Sequence, residues 1–195
     1  RALAVYETRE GDYQKKTVAD LTGRYLNKSP IDPWGSQYIV DPKSGTVYST
    51  GPDRSDSDTG GGKFDNIVVP YQPPMALVSA KWVDKNQSGA VDFQNVSDEL
   101  HLAFSRKFND GVTGTTLDEI SGVIFKDKSM VLASIIGGSP TIVASKILVY
   151  KINVNSAFVP GQSYLTVTDS QQKIFDQADP VNYCLSSQDV KILPQ

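Results

Sequence analysis

Between Gly51 and Asn66 the chain carries Asp53, Asp56, Asp58 and Asp65, and against them one large apolar side chain, Phe64. Gly51, Gly60, Gly61 and Gly62 add backbone freedom that ordering would remove. A stretch with so little to bury cannot order itself by hydrophobic packing. Structureless loops longer than about 12–15 residues are usually functional or disordered. Carboxylates crowded into one loop also repel one another unless positive charge sits among them. Two readings meet these constraints. One is a solvated acidic loop in which Arg54 and Lys63 offset part of the charge. The other is a loop wrapped around calcium, which takes hard oxygen ligands from flexible, glycine-containing backbone.

The flanking sequence is organised. Residues 1–9 read as a helix with Leu3 and Tyr6, joined by Ala2 and Val5, on one face, and Gly11 suits its C-terminal cap. Thr17 is placed to cap a short helix through Asp20 and Leu21. Asp32-Pro33-Trp34-Gly35 reads as a turn, with Pro30 and Pro33 holding the chain extended around Asp32. Tyr38 to Val40 and Thr46 to Ser49 alternate as two strands of a hairpin, which places the acidic loop at the margin of a small antiparallel sheet. Pro70-Tyr71-Gln72-Pro73-Pro74 is a stiff connector and the best domain boundary in the chain.

Beyond the connector the pattern is all β. Apolar runs at 76–83, 100–104, 122–125, 130–136, 146–154, 164–168 and 190–193 are separated by turn residues. About seven short strands in about 120 residues is the pattern of a β-sandwich. Leu100, Leu102 and Phe104 fall on one face of their strand and His101 on the other. Near the start of this region, Asp84, Asn86, Ser88 and Asp92 occupy positions one, three, five and nine of a calcium-type loop, with Gly89 at six. Position twelve is Asn95, so Asp98 or Glu99 would have to supply the last carboxylate. The competing reading is a polar turn between strands.

The phrases DPWG, YSTGPD and KFDNI, with AVYETREGDYQ at the start of the chain, resemble the C-terminal part of the major pseudopilin of bacterial type II secretion systems, over residues 1–72. The resemblance implies a structural calcium ion in the acidic loop. By position, Asp53 and Asp65 match the family's side-chain ligands, and backbone carbonyls near Ser49 and Thr50 complete the shell. Asp56 and Asp58 are additional acidic candidates peculiar to this chain, and Asn66 stands where a second acid is common nearby. It also implies a membrane-anchoring, filament-forming N-terminal helix ahead of Arg1. Further on, DELHLAFSRKF, FVPGQSYLTVTDS and IFDQADPVN resemble bacterial immunoglobulin-like domains.

The expected fold is therefore an α+β pilin-like domain over 1–72, with the N-terminal helix on a small antiparallel sheet, a proline-rich linker at 73–75 and an immunoglobulin-like sandwich over 76–195. The function implied is that of a calcium-stabilised structural subunit of a pseudopilus, at the periplasm or cell surface. Its partners would be other pseudopilin subunits, the inner-membrane secretion machinery and a secreted substrate. The alternative is an adhesion module that recognises carbohydrate or protein through the second domain. Net charge of −3 gives a nucleic-acid partner no electrostatic support. One cysteine, Cys184, rules out an internal disulfide framework. Catalysis is not expected. The only histidine, His101, lies beside no nucleophile elbow, no His/Cys cluster fits zinc, and Gly60-Gly61-Gly62 lacks the lysine of a phosphate loop.

Overall fold

The computed structural model describes residues 1–56, 65–108, 123–125, 135–167, 174–178, 181–187 and 189–195. Asp58 and the expected strand start at Met130 lie outside these residues. The chain divides into two compact units, one built on Arg1–Pro73 and one on Pro74–Gln177 with Val181–Gln195.

In the first unit, helix α1 (Ala2–Glu10) buries Leu3 and packs Ala2 and Tyr6 onto a core of Leu3, Tyr13, Val18, Leu21 and Val40. A helix this short is marginal alone, so its packed face holds it. Tyr6 meets Tyr13 and Tyr25 edge-on, at ring-centroid distances of 5.1 and 5.5 Å. The Tyr13 hydroxyl donates to the Thr17 carbonyl at 2.5 Å. Thr17 does not cap the next turn. It bridges to Ile39, and the 3-10 turn Ala19–Leu21 begins after Val18 without a side-chain cap.

Strands β1 (Ile39–Asp41), β2 (Thr46–Ser49) and β3 (Ile67–Pro70) form an antiparallel sheet in that order. The β1–β2 turn is held by Asp41 Oδ1, which accepts from the Lys43 amide at 3.0 Å. Gly45 has a φ of +63°, and a Cβ there would lie 2.5 Å from Gln72 Oε1, so only glycine fits that corner.

Among the described residues the second unit holds one hydrogen-bonded sheet of seven strands: β4 (Leu77–Val83), β5 (Glu99–Phe104), β6 (Val123–Phe125), β7 (Ile136–Val143), β8 (Ile147–Ile152), β9 (Tyr164–Val167) and β10 (Val190–Pro194). Their order is β6-β9-β10-β4-β5-β8-β7. Alternate residues supply the core: Ala80 and Trp82 from β4, Leu100, Leu102 and Phe104 from β5, Leu148, Tyr150 and Ile152 from β8. Period-two burial is what the apolar alternation dictates. Strand β7 carries Gly137, Gly138 and Pro140 and shifts register between Gly137 and Thr141. It is an edge strand, where glycine and proline are tolerated.

These observations correct the expected fold class. Among the described residues the protein is mostly β, with one short N-terminal α-helix and two sheets. It is not a pilin-like helix on a sheet followed by a separate immunoglobulin-like sandwich. The physical reason lies in β10. Ile192–Pro194 pairs in parallel with Ala80–Trp82, while Val190 and Lys191 pair antiparallel with Leu165 and Tyr164. One strand thus continues the ladder in both directions, where a sandwich would present two separate sheets. Among the described residues no helix is long and apolar enough to cross a membrane.

Cys184 sits in the core of this unit, and burial pushes its thiol up from 9.0 to about 11. The unfolded thiol ionises first, so this group's contribution is intact below pH 9.0 and is lost as pH rises toward about 11. We expect Cys184 to react slowly with a disulfide reagent at pH 8 until denaturant is added. Cys184→Ala should flatten the alkaline fall in stability; an unchanged fall would locate it in other groups.

Candidate metal centre

The acidic loop is entered from a turn built on one carboxylate. Asp32 is buried, and its Oδ1 accepts from the amides of Trp34 at 3.0 Å and Ser36 at 2.7 Å. The Asp32 amide donates to the Ser36 carbonyl at 2.8 Å, and the Gly35 amide to the Asp32 carbonyl at 3.1 Å. Asp32 Oδ2 accepts from the Ser49 hydroxyl at 2.6 Å. That hydroxyl in turn accepts from the Gly51 amide at 3.1 Å. The hydrogen bond from Ser49 is the largest influence holding the Asp32 carboxyl below its ordinary range, with the backbone amides adding to it against an opposing effect of burial.

The loop leaves β2 at Ser49 and returns to β3 at Ile67, and these two residues pair in the ladder. Continuing that register puts Thr50 opposite Asn66 and Gly51 opposite Asp65. The close approach at Gly51 fits this alignment. A Cβ on Gly51, whose φ is +71°, would lie 2.6 Å from the Asp65 carbonyl oxygen and 2.8 Å from Asp65 Oδ2. Only glycine allows the two backbone segments so close.

At this crossing lie buried oxygens with no hydrogen-bond partner: Thr50 Oγ1, Asp65 Oδ1 and Asn66 Oδ1. Burying a polar atom unpaired is costly, and for one carrying carboxylate charge the cost is larger. Asp53 is next to them, its amide donating to Asp65 Oδ2 at 3.4 Å while its own Oδ1 accepts from the Ser55 amide at 2.9 Å. The sequence candidates Ser49, Thr50, Asp53 and Asp65 are thus brought together. Asp56 has a different part. Its Oδ2 accepts from the Tyr48 hydroxyl at 2.8 Å and its Oδ1 from Asn66 Nδ2 at 3.4 Å. Burial, then Asp56, drives the Tyr48 hydroxyl well above its ordinary range, so it remains a donor. Asp56 therefore braces the Asn66 amide nitrogen and leaves Asn66 Oδ1 as the bare atom. Sequence reasoning ranked Asn66 as a missing acid and did not anticipate the Asp32–Ser49 bond.

Among the described residues no group of three or more His, Cys, Asp or Glu side chains could hold a metal. A zinc or other nitrogen- and sulfur-ligated site is not formed there. The oxygens at the Thr50–Asn66 crossing come instead from one hydroxyl, one amide and one carboxylate, with main-chain carbonyls beside them. That hard, mostly neutral oxygen set fits calcium.

The second loop is differently made. Asp84 accepts from the amides of Ser88 at 3.1 Å and Gly89 at 2.7 Å. Asp92 accepts from Asn86 Nδ2 at 2.6 Å and from the Ser88 hydroxyl at 2.8 Å. Asp98 is fully buried, with Oδ2 accepting from Trp82 Nε1 at 2.9 Å and the Asp92 amide at 3.1 Å, and Oδ1 from the Lys85 amide at 3.0 Å. Protein donors thus reach the three carboxylates, and Asp98 acts as a staple between the loop and β4. Asp98→Ala would leave buried donors unmet, at about 1–3 kcal/mol each. We expect its melting temperature to fall equally in calcium and in chelator; a fall confined to the calcium arm would make Asp98 a ligand.

The chain matches no protein-family model, no curated protein sequence and no solved structure.

Proposed function

We propose that Thr50, Asp53, Asp65 and Asn66 hold a calcium ion that locks the loop between β2 and β3, and that the chain serves as a structural subunit rather than a catalyst. The observation that carries the calcium reading is the buried, donor-free carboxylate oxygen of Asp65, accompanied by donor-free oxygens on Thr50 and Asn66. A cation of high coordination number satisfies all three and offsets the repulsion between Asp53 and Asp65. Carbonyls near Ser49 and Thr50 are the natural main-chain ligands. The phrases DPWG, YSTGPD and KFDNI support assembly of the pseudopilin kind, in the periplasm or at the cell surface, where calcium is plentiful. Copies of the same subunit and the secretion machinery would be its partners.

A second reading, adhesion to carbohydrate or protein, draws on the aromatic side chains Phe93 and Tyr183 of the second unit, 45% and 41% exposed. Aromatic rings left in water are common at binding surfaces.

Extracellular calcium modules have dissociation constants of about 10⁻⁴–10⁻³ M. At a concentration 100-fold above the dissociation constant, binding to the folded state alone adds about 2.7 kcal/mol. A chain melted in 10 mM calcium and in chelator should therefore show a rise of several degrees with calcium. Asp65→Asn should abolish the rise. Identical wild-type curves in the two media would overturn the calcium reading.

A further inference from the structure

We propose that Asp32 is the positioning residue of the calcium loop, holding through Ser49 the segment that presents Thr50 and Gly51 to Asp65, and that the ion and the Trp34 turn therefore respond as one unit. The inference rests on the calcium reading above. Asp32 touches none of the donor-free oxygens. It is 4% exposed, and both of its oxygens are engaged: Oδ1 by the Trp34 and Ser36 amides, Oδ2 by the Ser49 hydroxyl at 2.6 Å.

Ser49 is the last residue of β2, and its hydroxyl carries the link onward. While donating to Asp32 it accepts from the Gly51 amide, which fixes the main chain on both sides of Thr50. Gly51 then lies so close to Asp65 that a tilt of this peptide would move the carboxylate and the Thr50 side chain apart. In the opposite direction, an ion that fixes Thr50 also fixes Ser49, and through Asp32 it fixes the amides of Trp34 and Ser36. Asp32 and Ser49 are 17 positions apart in sequence, so this side-chain bridge ties the turn directly to the start of the loop. Groups that orient the direct ligands of a metal typically change its affinity 10–100-fold when removed.

The experiment compares wild type, Asp32→Asn and Ser49→Ala by calorimetric titration with calcium chloride. Ser49→Ala keeps the main-chain carbonyl and removes only the hydroxyl bridge. Tryptophan fluorescence is followed in the Trp82→Phe background, so that Trp34 alone reports. Calcium should change the Trp34 emission in that background. Ser49→Ala and Asp32→Asn should each weaken calcium binding by about 10–100-fold. The double variant should be no weaker than the poorer single one, because both cut the same bridge. The Trp34 response should be lost in Ser49→Ala even at saturating calcium, a loss that a merely less stable fold would not produce. If Asp32→Asn shows no cooperative melt, Ser49→Ala decides alone. Full affinity with a full Trp34 response in Ser49→Ala, while wild type binds calcium, would overturn this inference and leave the calcium reading standing. No calcium binding by wild type would overturn both.

Discussion

A carboxylate oxygen removed from water must be met by a donor or by a cation. Four buried or half-buried aspartates of this chain show that constraint being met in different ways. Asp32 is met by a hydroxyl and main-chain amides of its own turn. Asp98 is met by an indole N–H and the amides that follow β4 and precede β5. Asp176 is met by Arg106 at 3.0 Å and by both nitrogens of Asn182 at 2.9 Å. Asp65 departs from the pattern: one oxygen receives the Asp53 amide and the other has no donor. Among the described residues donors reach the buried Asp32, Asp98 and Asp176, and the bare oxygen of Asp65 is what the proposed calcium ion would satisfy.

That contrast separates the two acidic loops better than their sequences do. The Asp84–Asp92 loop has the spacing of a calcium loop, yet its side chains close on one another and on backbone amides. The Asp53–Asn66 loop has poorer spacing, but the β2–β3 ladder ends at Ser49 and Ile67, one residue before Thr50 and Asn66. Spacing along the chain reports which oxygens can meet. It does not report how many N–H groups will reach them first.

Much of the fold was nonetheless legible. The inward set Leu100, Leu102 and Phe104 follows from alternation, because one face of β5 is buried and the period of a strand is two. The hairpin before the acidic loop follows from turn chemistry. Strand β7 was hidden because Gly137, Gly138 and Pro140 read as a turn, although an edge strand with a register shift tolerates them. The two-sheet expectation failed at β10. Nothing local in Val190–Pro194 says that its first residues pair with β9 and its last with β4. In the candidate site the acids were legible as charges, but Asn66 was not, since a neutral amide becomes informative only once Asp56 has taken its nitrogen.

The same reasoning explains why Asp32 escaped notice as part of the site. Asp-Pro-Trp-Gly reads as a self-contained turn, and Oδ1 does serve that turn. A turn of this kind needs one acceptor, and a carboxylate has two. The second oxygen is free to reach across the sheet, and Ser49 is where it ends. Asparagine would keep the turn, because its single carbonyl oxygen can accept from the two amides. It would place an N–H group where the Ser49 hydroxyl now donates. An aspartate at this position lets the Ser49 hydroxyl donate while it accepts from the Gly51 amide, and Ser49 is the residue at which the acidic loop begins.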